Sequence, residues 1–275
     1  MRRDKQPKVV IIGGGFAGLK AARGLRHAPM SITLIDRRNF HLFQPLLYQV
    51  ATGGLSPADI ASPLRGILAR QKNVRVLQGA AKGIDVEART VLVGDEPVDF
   101  DYLIVATGAK HHYFGNDDWE VYAPGLKTVE DALNIRRRVL SAFEKAETET
   151  DPVRRDSLLT FVVVGGGPTG VELAGALGEL ANHTLRHDFR VIDPTQSKIL
   201  LVESTDRLLP TFAPSLSQHA VDSLEKLGVT VLTNTRVTEV DDEFVALLQD
   251  GTRKQVFTDT VLWGAGVKAS ALSLE

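Results

Sequence analysis

Cysteine is absent from all 275 residues. That excludes disulfides, thiolate metal sites and any redox route through a thiol pair. An excess of one charge is lacking too, since 32 Lys and Arg meet 34 Asp and Glu for a formal net charge of −2. With no surplus of cations, nucleic acid drops out as a partner. No apolar run reaches the ~18 residues that a membrane-spanning helix needs. The start, Met1-Arg2-Arg3-Asp4-Lys5, carries charge but leads into no signal-peptide core. These absences imply a cytoplasmic chain, or one that docks on a membrane through some other part.

What is abundant is glycine, with 24 residues, and the glycines are patterned. Residues 8–26 read KVVIIGGGFAGLKAARGLR, and residues 160–178 read TFVVVGGGPTGVELAGALG. Each is a β-branched apolar run, then G-x-G-x-x-G, then a small-residue helix start. The offset of 152 residues is too long for a solenoid repeat, so two copies of one nucleotide-binding unit fit better. Short β-branched runs at 32–35, 74–77, 90–93, 102–105, 199–202, 229–232, 245–248 and 260–262 read as further strands. A helix is expected from Thr128 to about Ala146, with Thr128 as N-cap. The polar stretch Glu147–Asp156 then reads as an exposed link. Strands alternating with helices imply an α/β fold with parallel, doubly wound sheets.

In the first loop, Gly13 permits a tight turn, Gly15 lets a pyrophosphate approach the backbone, and Gly18 permits close packing of helix on strand. The helix start supplies unpaired N–H groups and partial positive charge for phosphates. Ile32–Ile35 leads into Asp36, placed to accept a hydrogen bond from a ribose hydroxyl. In the second loop, Gly165, Gly167 and Gly170 repeat this chemistry, and Ile199–Val202 leads into Glu203. A carboxylate there bonds both ribose hydroxyls of NADH and repels the 2′-phosphate of NADPH, although Arg207 lies close in sequence. The residues Asn182–Lys198 read as an insertion between helix and strand. Glu172, just past the third glycine, admits two readings at the first turn of its helix: an acid offsetting the dipole, or a carboxylate near a nicotinamide.

The strand ending Ala106-Thr107-Gly108, following the first glycine loop, resembles the second marker of flavin-binding pyridine-nucleotide oxidoreductases. In that superfamily two Rossmann-like dinucleotide-binding folds occur, with the NAD domain inserted into the FAD domain. Residues 1–125 are expected to form the FAD part and 126–275 the NAD domain with its leading helix. The absence of cysteine sets aside disulfide reductase and sulfide:quinone oxidoreductase chemistry. The stretches RNFHLFQPLLYQVATGGLSPADIASPLR (38–65), GLKTVEDALNIRRRVLSAFE (125–144) and FRVIDPTQSKILLVESTDRLLPTF (189–212) closely resemble bacterial type II NADH dehydrogenases. On the residues alone, 38–65 is a non-periodic loop leading to a helix, of a kind that folds over a cofactor.

That resemblance implies transfer of electrons from NADH to a membrane quinone through FAD, without proton pumping. It implies FAD contacts at Gly13, Gly15, Ala17, Gly18, Asp36, Arg37, Ala106, Thr107 and Gly108, with Gln44, Pro45, Gln49 and Thr52 on the flavin side. NADH contacts are implied at Gly165, Gly167, Thr169, Gly170, Glu203 and Gly266, and Glu172 near the nicotinamide is the catalytic candidate. The implied location is cytoplasmic, or peripheral on the cytoplasmic face of the membrane, and a homodimer is compatible with it. The chain stops at Ser273-Leu274-Glu275, before the family's segment completing the FAD site, its quinone motif and its anchoring helices. Weak flavin binding is therefore expected of a front portion. The alternatives are a soluble NADH:ferredoxin or rubredoxin reductase, and a non-catalytic nucleotide-binding fragment. No metal is expected: His111-His112 and His183/His187 read as solvated, as does Arg136-Arg137-Arg138.

Overall fold

Four of the five residues of Lys8–Ile12 (β1) are buried, and the alternation of the strand explains how. Val9 and Ile11 pack with Leu19, Ala22, Ile32 and Leu34 on one face, while Val10 and Ile12 pack with Val91, Val93 and Phe100 on the other. A strand apolar on both faces belongs inside a parallel sheet covered on both sides. The helix Phe16–Gly24 (α1) follows it, then the strands Ser31–Asp36 (β2), Val74–Gln78 (β3) and Tyr102–Val105 (β4). All pair in parallel in the order β3-β2-β1-β4. This computed structural model describes residues 6–273. The Met1–Lys5 start and the closing Leu274 and Glu275, on which the sequence reading drew, lie outside the described residues.

The second copy repeats the plan. A long helix, Val129–Thr148 (α2), precedes Thr160–Val164 (β5), all five of whose residues are buried. Pro168–Glu179 (α3), Lys198–Val202 (β6), Val229–Leu232 (β7) and Thr260–Trp263 (β8) complete a parallel sheet in the order β7-β6-β5-β8. The two sheets thus share one strand order, the sheet half expected of a mononucleotide-binding unit. The chain divides into two compact units, one of 1–43, 57–110 and 267–275, the other of 44–56 and 111–266. No helix among the described residues is long and apolar enough to cross a membrane.

Three expectations need correction. The Glu147–Asp156 link is not a free connection: Asp151 caps a helix over Pro152–Leu158, a start that the Asp-Pro pair announces. Glu147 is still helical and its carboxylate accepts from the N–H groups of Arg190, Val191 and Ile192, pinning the insertion before β6. Those bonds, led by that from Arg190, hold its carboxyl below the ordinary range. His111 is not on a solvated face: its Nε2 lies 3.3 Å from Asp131 Oδ2, with 13% of its side chain exposed. Nor is Arg138 free, since it donates to the carbonyls of Tyr122 and Val121 at 3.0 and 2.7 Å. A carboxylate and two carbonyls distant in sequence take these side chains up, which a helical wheel cannot show.

The start of α2 is as the sequence expects. Thr128 accepts from Asp131 N, and Asp131 accepts in return from Thr128 N at 2.9 Å, a closed capping box. Thr128→Ala should leave one first-turn N–H unpaired and cost about 1 kcal/mol of stability. Urea denaturation of the two proteins checks this; an unchanged midpoint and slope would contradict it.

Candidate functional site

At Gly13 and Gly18 the first glycine loop is held by contacts that leave no room for any other residue. Gly13 sits at φ +105°, and a Cβ there would lie 2.2 Å from Ala106 O. A Cβ on Gly18 would lie 1.8 Å from Gly13 O, so α1 can start directly over the end of β1 only with glycine. Ile12 pairs with Ile35, which brings the next residue, Asp36, beside the loop. Asp36 Oδ2 accepts from Gly14 N at 2.5 Å, and Oδ1 accepts from Arg38 N at 2.7 Å. Gly15, by contrast, faces open space, with nothing within 4 Å of its Cβ position. Gly15 is also the N-cap of α1 and makes no side-chain capping bond.

The second loop repeats each feature. Gly165 has φ +107°, Gly170 packs with a Cβ position 1.8 Å from Gly165 O, and Gly167 faces open space. Gly167 is the N-cap of α3, again with no side-chain capping bond. Val164 pairs with Val202, so Glu203 takes the place of Asp36. Its Oε2 accepts from Gly166 N at 2.6 Å, and its Oε1 accepts from Thr205 N at 2.7 Å and Ser204 Oγ at 3.2 Å. Burial pushes this carboxyl up, but the bonds from Thr205, Gly166 and Ser204 outweigh it and the net shift is downward. Its contribution to stability is therefore present above the ordinary 4.5 and is lost as pH falls through the lowered folded value.

Two uncapped helix starts, each with open space at the N-cap glycine, are what a pyrophosphate needs: free N–H donors, partial positive charge and room. The same test supports the turn at Ala106–Gly108, where Gly108 at φ +70° also has nothing within 4 Å of its Cβ position. Thr107 Oγ1 lies 2.9 Å from Ser273 Oγ. Ala17 and Arg37 are exposed, and Thr169 is half-buried in the first turn of α3. Gly266, at φ +70°, has its Cβ space taken by the ring of Phe114 at 2.7 Å.

Gln44, Pro45, Gln49 and Thr52 fall in the second compact unit. The stretch read as a non-periodic loop contains a turn, Gln44–Leu46, and a short helix, Leu47–Ala51, that packs on α2 and α3. Gln49 Nε2 donates to Tyr48 Oη at 3.1 Å, and Thr52 Oγ1 donates to Tyr48 O at 3.0 Å. Glu172 lies in the second turn of α3 rather than the first, because the cap is Gly167 and no acid occupies the first turn. It is exposed and without a hydrogen-bond partner among the described residues, and desolvation pushes its carboxyl up. Simple compensation of the dipole at the helix start is thereby weakened as its explanation. Sequence reasoning passed over the middle glycines, Gly14 and Gly166, whose N–H groups bond the two carboxylates. The identical GGG triplets were the signal.

A duplicated, parallel dinucleotide-binding unit with an acid after the second strand defines the class. The chain belongs to the pyridine nucleotide-disulphide oxidoreductase family, whose model matches residues 7–275. It is similar to the type II NADH:quinone oxidoreductase Ndh of Mycobacterium tuberculosis, at 48% identity over 98% of this chain and 59% of the relative. An external alternative NADH-ubiquinone oxidoreductase of Yarrowia lipolytica mitochondria is 32% identical over 94% of this chain and 47% of its own length. The chain thus spans about half the length of the curated relatives it matches. Among solved structures, NDH2 of Plasmodium falciparum in complex with NADH superposes with a TM-score of 0.91 at 28% identity, covering 97% of this chain and 56% of that one. The sulfide:quinone oxidoreductase of Aquifex aeolicus, at TM-score 0.75 and 23% identity, shows the fold alone.

Within each loop, glycines that pack are distinct from the glycine that faces open space. Gly18→Ala should destabilise the chain by about 2 kcal/mol or more, because backbone must move to admit the methyl. Gly15→Ala should stay within about 0.5 kcal/mol, since the space is open and its φ of −69° suits alanine. Urea denaturation of the pair would contradict this if the order were reversed.

Proposed function

We propose that this chain is the dinucleotide-binding portion of a type II NADH:quinone oxidoreductase, taking FAD at the first glycine loop and NADH at the second. The observation that carries the reading is the repeated unit itself: an uncapped helix start, an open N-cap glycine and an acid bound to the middle glycine, found twice in one chain. When bound, FAD supplies the acceptor for the hydride of NADH and the relay of electrons to a quinone. Asp36 and Glu203 would orient the two riboses, and the first turns of α1 and α3 would hold the pyrophosphates. Gln44, Pro45, Gln49 and Thr52 are assigned to the flavin side, and Gly266 to the nucleotide side of the second loop. Glu172, an unpartnered carboxyl whose pKa is raised by desolvation, is assigned an electrostatic or proton-holding role. The quinone rests on the activity named for the relatives, and a place on the cytoplasmic face of a membrane is proposed with it.

Nucleotide preference follows from Glu203. Its hydrogen bonds favour the ionised form, and a carboxylate there opposes a 2′-phosphate. Arg207, the cation close in sequence, is occupied by donation to Pro210 O at 2.8 Å. NADH should therefore bind at least about tenfold more tightly than NADPH, a difference near 1.4 kcal/mol. Glu203→Arg should narrow or reverse that order in a fluorescence titration. Equal affinity for both nucleotides in the unmutated chain would sink the assignment.

A further inference from the structure

The two glycine loops match at the middle glycine in three ways. The N–H of Gly14 and of Gly166 donates to the acid after the second strand. The Cβ position of each lies against a leucine, Leu64 at 2.4 Å and Leu208 at 2.6 Å, and both leucines are wholly buried. The carbonyl of each is also held, but by different means. Gly166 O accepts from the backbone N–H of Leu209 at 2.8 Å, with Leu209 in the left-handed region at φ +50°. A leucine is strained there and keeps that conformation only where its surroundings fix it. In the first unit the equivalent stretch is a strand, Phe40–Leu42, whose His41 faces Ser62 in an antiparallel ladder. The side chain of His41 reaches the loop instead, and its Nδ1 lies 3.1 Å from Gly14 O.

We infer that His41 is the positioning residue of the first glycine loop, doing with an imidazole N–H what the Leu209 backbone does in the second. Gly14 O can only accept, so Nδ1 carries the proton, in the neutral ring and in the cation alike. The ring also meets Phe16 edge-on, with centroids 4.9 Å apart and an interplanar angle of 83°. Phe16 is the first residue of α1. His41 therefore touches the chain on either side of Gly15, the glycine that faces open space, and fixes the direction of the N–H groups there. It makes no claim on the reacting atoms. The inference rests on the reading that the first loop takes FAD, and its test separates the two.

His41→Phe keeps a ring against Phe16 and removes the donor, whereas His41→Asn restores a donor near the position of Nδ1. Flavin affinity should fall about five- to tenfold in His41→Phe, the fold-change that one hydrogen bond is worth, and return to within about twofold in His41→Asn. NADH affinity, read on the same samples, should be unchanged in both. Amide hydrogen exchange at Gly14, whose N–H is bonded to Asp36, should be faster without nucleotide in His41→Phe than in the unmutated chain or His41→Asn. If the unmutated chain took up no FAD, the first-loop reading would fail, and the exchange result would still decide for or against His41. Exchange in His41→Phe equal to that of the unmutated chain would overturn the inference. So would equal losses in the Phe and Asn variants.

Discussion

The bond from a middle-glycine N–H to the acid at the end of the second strand is the constraint on which each unit depends. It closes at 2.5 Å between Gly14 and Asp36 and at 2.6 Å between Gly166 and Glu203. A charge-assisted bond of this kind is among the stronger polar contacts available to a folded chain. Through it, the acid is oriented before any ribose arrives and the loop is fixed before any phosphate arrives. Preorganisation of this sort lowers the ordering cost of binding. The register of β1 with β2, and of β5 with β6, exists to deliver those acids to that place.

The rest of each loop is arranged so that this bond can form while the helix start stays unclaimed. Glycine at 18 and 170 lets each helix begin against the preceding turn, within a distance no side chain would survive. Neither helix carries an acid in its first turn or a side-chain cap, although both features would stabilise it. Elsewhere Thr128 and Asp131 cap α2 and Asp151 caps the next helix, whereas the helix Pro214–Lys226 starts at Ala213 with no side-chain cap. What sets α1 and α3 apart among the described helices is a bare start joined to an N-cap glycine with open space at its Cβ position.

Much of this was legible in the sequence because it is local. The GGG triplets, the β-branched runs before them and the acids after the second strands lie within short windows, and each strand expected from the chain is present. Glycine spacing also identified which positions pack and which leave the backbone facing open space. What the sequence did not show depends on contacts between distant residues. Asp131 takes up His111, carbonyls at 121 and 122 take up Arg138, and Glu147 ties down a loop more than forty residues away. The place of Glu172 was misjudged by one turn because either Gly167 or Gly170 could start the helix, and only the backbone decides between them. His41 carried no periodic signal at all, since its role comes from comparing two folded loops.

The central claim is that the two loops are separate sites for two dinucleotides, and a pair of valine substitutions tests it. Both Gly15 and Gly167 have open space at the Cβ position, so valine there should fill the place of a pyrophosphate without disturbing packing. Equilibrium dialysis of each variant against FAD and against NADH reads the two sites independently. Gly15→Val should lose FAD and keep NADH, and Gly167→Val should lose NADH and keep FAD. Loss of the same nucleotide from both variants, with folding intact, would contradict the account.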